Sequence, residues 1–331
     1  QKNMLIAKNV VNNLAKKCPI TVLLYAGIGI ETKPLSKKVP YKVFMGQSVG
    51  PLFFTSRESL ENTIKEYKGQ NVSFHCEDSK ILEENKNGIT HETRRLPDAE
   101  ISAIDFALEL IEKYNLIGKI CHCSTTEGMQ KIIDAKTSGL KVTVEVSPHH
   151  LYFSTDTEAL ADKDKTKMLQ VNPPIRQTKE NRLALIEFLK EGQIDYLATD
   201  HAPHSLEEKK DGISGLTHLD TYGPFVTWLI KEHNFSAQDI SRVCSQNPAI
   251  FINQFINEKY GKIEEGYVGS LTVLDMNKPI TITKEILKTK NKLSPFLGII
   301  FPGSVSMTII KGISYQNNYE KKLTYYTNTG N

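Results

Sequence analysis

Five polar side chains of types that bind metal ions or transfer protons lie at or just after the ends of apolar runs in this sequence. They are Lys42, His75, His122, Glu145 and Asp200. Imidazole and carboxylate groups are ligands that suit Zn²⁺. A zinc ion held by such groups activates water, so the chemistry they indicate is metal-assisted hydrolysis.

Asp200 begins the segment with the highest density of such groups. The apolar run 194–198 predicts a buried strand, and Pro203 keeps that strand from continuing. His201 and His204 lie within four residues of Asp200. Acid and imidazole groups gathered where a buried strand ends are typical of a metal hydrolase at the top of a parallel barrel. A turn with a capping Asp and two surface histidines is the alternative interpretation.

Apolar spacing predicts that strands and helices alternate six times along the chain. This alternation indicates parallel strands joined by crossover helices. Because the polar groups gather at strand C-terminal ends, we expect an α/β fold of the (β/α)8 type rather than a doubly wound sheet. The strands are predicted over 20–26, 39–45, 72–75, 119–123, 141–146 and 194–198, and the helices over 5–17, 59–67, 99–114, 126–136 and 179–191.

Past Phe255 the pattern changes to short apolar segments separated by glycines. Strands are predicted over 271–275 and 306–311. We therefore expect a barrel over residues 1–254 and part of a small β domain over residues 255–331.

Composition excludes several classes of protein. The 331 residues carry a net charge of +3 with scattered lysines, which does not indicate nucleic-acid binding. Apolar runs are too short for a membrane span, and no signal peptide is recognisable at the start. The cysteine count is five, and Cys121 and Cys123 fall in a predicted buried strand, so reduced thiols in a cytoplasmic protein are expected.

Each candidate also has an ordinary structural interpretation. A buried histidine such as His75 or His122 is commonly a satisfied core residue, and Lys42 can point outward from its strand. If Lys42 points inward, its charge must be removed or paired. Carbamylation by CO2 is one solution, because it turns the amine into a carboxylate that can bridge two cations. His149 and His150 are expected to be structural, and His91, His218 and His233 to lie at the surface.

The segment 198–204, Ala-Thr-Asp-His-Ala-Pro-His, followed by Glu207, Glu208 and Lys209, resembles the signature of the dihydroorotase family within the amidohydrolase superfamily. The order of the other motifs is similar to that family. They are Tyr-Lys-Val-Phe-Met at 41–45, Ser-Phe-His-Cys-Glu at 73–77, Ile-Cys-His-Cys at 120–123, Glu-Val-Ser-Pro-His-His-Leu at 145–151, Val-Asn-Pro-Pro-Ile-Arg at 171–176 and Asn-Pro-Ala at 247–249.

The resemblance implies reversible hydrolysis of (S)-dihydroorotate to N-carbamoyl-L-aspartate, a step of pyrimidine synthesis, by zinc-activated water. It implies two Zn²⁺ ions, with metal ligands on a carboxylated Lys42 and on His75, His122 and Asp200. Asp200 would also carry the proton to the leaving nitrogen. Arg176 and His204 would contact the substrate. Cys121 and Glu145 match positions that in some relatives lie near an additional zinc, against the alternative of a core thiol and a supporting carboxylate.

The first barrel strand of that family carries His-x-His, which is missing from this sequence, as is the motif of the second strand. We therefore expect a barrel that lacks its first two strands, with little or no activity on its own. Two alternatives stay open. One is another cyclic amidohydrolase of the hydantoinase or allantoinase type. The other is a non-catalytic scaffold subunit that partners aspartate transcarbamoylase; a homo-oligomer is also open.

Overall fold

The computed structural model describes residues 18–155, 167–176 and 178–317. The helix predicted over 5–17 lies outside this part. The strands are β1 (Ala26–Gly27), β2 (Tyr41–Phe44), β3 (Asn71–His75), β4 (Ile117–Ile120), β5 (Val142–Val146), β6 (Tyr196–Leu197), β7 (Leu271–Asp275), β8 (Ile280–Thr281), β9 (Ile300–Phe301), β10 (Ser304–Ile310) and β11 (Ile313–Gln316). The helices are α1 (Arg57–Ile64), α2 (Ser79–Glu84), α3 (His91–Arg94), α4 (Pro97–Lys113), α5 (Thr126–Thr137), α6 (Pro148–Tyr152), α7 (Lys179–Lys190), α8 (Leu206–Lys210), α9 (Tyr222–His233), α10 (Ala237–Ser241) and α11 (Asn247–Ile252), with a 3₁₀ turn at Lys65–Tyr67 and a π turn at Arg242–Gln246.

Strands β1 to β6 form one sheet in the order β1-β2-β3-β4-β5-β6, and every neighbouring pair is parallel. A doubly wound sheet reverses its strand order at a switch point, whereas a (β/α)8 barrel adds each strand beside the previous one. The observed order winds in one direction throughout. The predicted TIM-type α/β winding is therefore confirmed.

Strands β3 and β5 match the predicted runs to within one residue, whereas β4 begins and ends two to three residues earlier than predicted and β2 is shorter. The outer strands are shorter still. All five residues of β3 are buried, and β5 buries alternate residues. Strands β1 and β6 have two residues each, although the sequence predicts strands over 20–26 and 194–198. Each of these two strands pairs with one neighbour within the described residues, so the ladder that defines it is short.

Helix α4 illustrates how the sequence determines the packing of a helix against the six-stranded sheet. It begins with Pro97, whose missing N–H costs nothing at a first helical position. Its apolar face, which includes Ile104, Leu110 and Ile111, is fully enclosed against the sheet. Ile111 also reaches the strand: a β-carbon added to Gly118 would lie 2.2 Å from the Ile111 side chain. Only glycine lets α4 approach β4 so closely at this position.

The C-terminal part of the described chain holds two further antiparallel sheets. Strands β7, β10 and β11 form one in the order β11-β10-β7, and β8 pairs with β9. Phe296 and Phe301 of the β8–β9 region are fully buried and lie 6.0 and 6.4 Å from the Phe225 ring of α9. This region packs into the same core as the six-stranded sheet. The division at residue 254 stays a prediction.

The structure bears on two predictions that were made from composition. All five cysteines are unpaired, as expected for reduced thiols. Among the described helices, none combines the length and the apolar character that crossing a bilayer requires.

Candidate functional site

The C-terminal ends of neighbouring parallel strands bring the predicted side chains together. Lys42 lies in β2, His75 ends β3, and Glu145 lies in β5. His122 and Asp200 come two and three residues after β4 and β6. Both adopt a left-handed backbone, with φ of 36° and 47°. Such a conformation is costly for residues with a β-carbon and often marks functional positions. The sequence did not reveal this feature.

His75 and His122 are the best-defined pair of the site. Nδ1 of His75 lies 3.0 Å from Nε2 of His122, and both residues are buried. Burial lowers the pKa of His75, and burial together with the nearby His75 lowers the pKa of His122 well below its usual value. Both rings are therefore neutral at pH 7. A neutral imidazole is the form that ligates a metal ion.

Glu77 orients His75 from behind. Its Oε2 lies 2.8 Å from Nε2 of His75 and also accepts a hydrogen bond from Arg95. Burial alone would raise the pKa of Glu77, but Arg95 and His75 lower it to about 2. The carboxylate is therefore ionised and accepts a hydrogen bond from Nε2–H of His75, which leaves the Nδ1 lone pair of His75 facing His122. Sequence reasoning did not assign a role to Glu77 or Arg95, although Glu77 follows His75 by only two residues.

The histidine pair fits a zinc ion. Two nitrogens that each lie about 2.0–2.1 Å from one tetrahedral Zn²⁺ are separated by about 3.3–3.4 Å. The His75 and His122 nitrogens, which are in hydrogen-bond contact, are 3.0 Å apart, so a small outward movement of the two rings would admit the ion. With Nε2 of His122 turned to His75, the buried Nδ1 of His122 has no hydrogen-bond partner among the described residues. No group of three or more His, Cys, Asp and Glu side chains in the described ranges is gathered tightly enough to hold a metal. The geometry therefore supports two imidazole ligands, and the roles of Lys42 and Asp200 as ligands stay predictions.

Lys42 points into the structure rather than outward. Its Nζ lies 2.8 Å from Sγ of Cys121. Burial would lower the pKa of Lys42, but Cys121 and Glu145 raise it above its usual value. Lys42 also contributes to the lowered pKa values of both His75 and His122. The amine therefore lies close to the histidine pair, where Cys121 accepts its hydrogen bond and the Glu145 carboxylate favours its charged form.

Glu145 has its own lysine partner, which the sequence did not predict. Nζ of Lys119 lies 2.8 Å from Oε2 of Glu145 and faces the rings of Tyr25, Tyr196 and Phe251 at 5.1–5.7 Å. Burial would raise the pKa of Glu145, but Lys119 and Lys42 lower it. The donor atoms proposed for an additional zinc, on Cys121 and Glu145, thus both contact lysine ammonium groups. The observed arrangement does not fit a metal ion between them.

Asp200 lies close enough to Lys42 and Glu145 to feel their charges. Burial raises the pKa of Asp200 to about 6, although Lys42 opposes this effect and Glu145 adds to it. A carboxyl group with a pKa near neutrality can both accept and return a proton at pH 7. This is the property that a proton carrier in amide hydrolysis needs.

Arg176 is enclosed by the protein. Its Nη2 lies 3.1 Å from Oε2 of Glu100, its Nε donates to Oγ of Ser124 at 2.9 Å, and its Nη1 donates to the carbonyl of Arg95 at 2.6 Å. Only 6% of Arg176 and 1% of Glu100 is exposed. Three of the five guanidinium donors are therefore engaged within the fold. The predicted substrate contact of Arg176 stays a prediction.

His204 lies on the loop between β6 and α8. Its Nδ1 is 3.4 Å from Oε2 of Glu208, and its backbone carbonyl accepts a hydrogen bond from the Asn291 side chain. The ring is partly exposed. Its predicted substrate contact stays a prediction.

Histidines outside the proposed zinc ligands are also buried or half-buried, which agrees with the expected structural role of His149 and His150. His149, His150 and His218 are at most 3% exposed, so the expectation that His218 lies at the surface is wrong. Nδ1 of His149 lies 2.9 Å from Nε2 of His218, so each ring satisfies one nitrogen of the other, while the remaining ring nitrogens of both have no hydrogen-bond partner among the described residues. His91 and His233 are half-buried.

Comparisons with known proteins place the chain in a family. The amidohydrolase family matches residues 54–313. The dihydroorotase of Pyrococcus furiosus is 34% identical over 272 residues, covering 82% of this chain and 60% of that protein. The dihydroorotase of Listeria monocytogenes is 34% identical over 262 residues, covering 75% of this chain and 59% of that protein. The chain thus spans about 60% of the length of these curated relatives.

Solved structures agree on the fold. An L-hydantoinase (dihydropyrimidinase) from Arthrobacter aurescens matches with a TM-score of 0.82 and 22% identity, covering 95% of this chain and 75% of that one. The dihydropyrimidinase of Brevibacillus agri matches with a TM-score of 0.74 and 23% identity, covering 86% and 65%. With its family match over residues 54–313, its one-directional parallel sheet and its facing histidines, the chain belongs to the amidohydrolase family.

Proposed function

We propose that this chain supplies most of the active site of a dihydroorotase, a cyclic amidohydrolase that interconverts dihydroorotate and N-carbamoyl-aspartate. The observation that carries the proposal is the facing pair of buried imidazoles at the C-terminal ends of β3 and β4 in a sheet whose β6 is followed by Asp200, a carboxyl group with a pKa of about 6. The identity of 34% to curated dihydroorotases supports the choice of substrate.

The proposed zinc ligands are His75, His122, Lys42 and Asp200. Zinc bound there would supply a Lewis acid that polarises the amide carbonyl and makes water nucleophilic at neutral pH. Glu77 holds His75 in the tautomer that presents Nδ1, and the low pKa of Glu77 keeps that hold through the neutral range. For Lys42 to serve as a carboxylated ligand, its amine must leave Cys121 and lose its proton.

Asp200 is the proposed proton carrier. With a pKa of about 6, its carboxyl group is mostly ionised at pH 7 and can accept a proton during attack on the ring amide. The protonated carboxyl can then deliver that proton to the departing nitrogen. In the ring-closing direction the same group would work in reverse. His204 on the neighbouring loop is the proposed contact to the substrate.

A hydantoinase-type activity is the second candidate. It is supported by the structural neighbours, an L-hydantoinase and a dihydropyrimidinase. The substrates differ in ring size and in the carboxylate of dihydroorotate. Assays that compare dihydroorotate, hydantoin and allantoin under the same conditions therefore separate the two candidates.

The test uses the full chain loaded with zinc, with Asp200→Asn as a matched control. We expect turnover of dihydroorotate well below the ordinary range of about 1–10³ s⁻¹, in preference to the other two substrates, and its loss in the control. Turnover of hydantoin alone would favour the second candidate. A chain that binds no zinc and hydrolyses none of the three would instead be a scaffold subunit.

A further inference from the structure

Lys209 is a buried ammonium group that the proposed reaction does not use. It lies in α8, only 3% of it is exposed, and its Nζ donates to three backbone carbonyls, those of Gln170, Ile213 and Gly215, at 3.0 Å each. An ammonium has three N–H donors, so these carbonyls satisfy all of them. Among the residues that the structure describes, no carboxylate forms an ion pair with Lys209.

This arrangement is energetically unusual. Removing an ammonium from water is costly, and a buried lysine normally faces an acidic partner. Burial accordingly lowers the pKa of Lys209 to about 8. A methionine of similar length would fill the same space without this cost. The ammonium charge therefore has a role beyond packing, and its three hydrogen bonds indicate that it holds the three carbonyls in place.

The carbonyls belong to two backbone segments that border the candidate site. Gly215 donates its N–H to Gln170 O at 2.9 Å, the same oxygen that accepts from Lys209. Ala202 donates its N–H to the carbonyl of Leu216 at 2.8 Å. The loop at 213–216 therefore joins the segment that follows Asp200 on one side and the turn at Gln170 on the other.

Contact between this loop and His204 is tight. Gly215 has φ of +146°, and a β-carbon added to it would lie 2.7 Å from both the Ala202 carbonyl oxygen and the His204 ring. Any shift of the loop toward the 202–204 segment would therefore displace His204. The position of the His204 ring depends on where the three carbonyls are held.

We propose that Lys209 is a positioning residue: its ammonium acts as a tethered cation that gathers the Gln170, Ile213 and Gly215 carbonyls and thereby fixes the loop against which His204 rests. The consequence for substrate binding rests on the proposed function, in which His204 contacts the cyclic amide. The gathering of the loop itself does not depend on it.

The test removes the Lys209 side chain and supplies a small cation from solution in its place. Lys209→Ala in the full chain removes the ammonium and leaves space for a small cation, and Lys210→Met removes an exposed lysine next to it as a control. Amide hydrogen exchange is measured for peptides covering 201–205 and 213–216, with 304–310 as a distant reference. Each protein is measured in ammonium, methylammonium and tetramethylammonium chloride at equal concentration.

We expect exchange in the two loop peptides to rise about ten- to hundredfold in Lys209→Ala, the factor that corresponds to losing charge-assisted hydrogen bonds. The reference strand and the Lys210→Met control should be unchanged. Ammonium and methylammonium should restore protection, and tetramethylammonium should not, because it has no N–H donor. Lys209→Arg should not restore it either, because a planar guanidinium does not match three carbonyls around one nitrogen.

Three results would overturn the proposal: unchanged loop exchange, an equal loss of protection in the reference strand, or equal restoration by all three salts. If Lys209→Ala does not yield folded protein, Lys209→Gln, whose amide offers two donors, is judged by the same three results. Where turnover is measurable, Lys209→Ala should raise KM more than it lowers kcat, with KM returning in methylammonium. Exchange and turnover are separate readouts, so loss of the proposed function would leave the loop result intact.

Discussion

Acidification should destabilise this fold because it buries imidazoles in neutral form. Burial lowers the pKa of His150 to about 4 and that of His218 to about 3, and it lowers the pKa of His149 well below its usual value. A group whose pKa is depressed by folding binds its proton more readily in the unfolded chain. It therefore contributes stability above the unfolded pKa of about 6.5, and this stability is lost as the pH falls below that value.

The size of the loss at pH 5 follows from these values. The folded pKa values of His150 and His218 both lie below 5, so the unfolded value sets the loss. Each histidine then loses about 2 kcal/mol of unfolding free energy between pH 7 and pH 5, and the two together about 4 kcal/mol. Since a domain is stable by about 5–15 kcal/mol in total, this is a large fraction.

Urea unfolding of the full chain in the presence of a chelator, at pH 7, 6 and 5, measures this loss. His218→Gln removes one titrating group. Between pH 7 and pH 5 its unfolding free energy should therefore fall by about 2 kcal/mol less than that of the wild type. Glu112→Gln changes an exposed side chain and should leave the slope as in the wild type. Equal slopes for His218→Gln and the wild type would refute the reasoning, because they would mean that the buried imidazole does not oppose protonation.

Three further outcomes are expected. Arg176→Met should lower the free energy of unfolding in urea by about 3–5 kcal/mol, because it leaves the buried Glu100 without its cationic partner. A decrease below about 1 kcal/mol together with a raised KM would instead favour the substrate contact of Arg176. Glu77→Gln should weaken zinc binding by about 10–100-fold in equilibrium dialysis, because the amide no longer fixes the His75 tautomer. The control is His233→Asn. Unchanged zinc affinity in Glu77→Gln would remove His75 from the proposed ligands. Gly215→Ala should lower the free energy of unfolding by about 1–3 kcal/mol, because of backbone strain and close contact. Gly139→Ala should lower it less, because Gly139 has φ of +88° but no neighbouring atoms. Equal decreases would mean that Gly215 is not in close contact with His204.

The apolar pattern of the sequence predicted the bounds of several strands closely. The strand over 271–275 has the predicted bounds, and β3 and β5 differ from prediction by one residue. The first and last strands of the larger sheet were predicted too long. Apolar character predicts burial, whereas strand length depends on pairing, and these two strands each have one described neighbour.

The site was predictable in its residue types but not in its partners. Lys42, His75, His122 and Asp200 could be selected because they lie within or just after apolar runs that predict strands, and their roles stay predictions. Lys119 could not, because a lysine inside a strand gives no sign of which carboxylate it faces across the sheet. The burial of His218 was missed for a related reason: its partner, His149, is 69 residues away in the sequence.

The left-handed backbones of His122 and Asp200 have a bearing on any attempt to engineer this protein. Each such residue gives up about 1–2 kcal/mol that glycine would recover. A screen that rewards heat resistance alone would therefore favour glycine at both places and remove one imidazole and the acid in the same step. Selection for stability and selection for the proposed activity therefore act in opposite directions at these two residues, so a library should hold them constant.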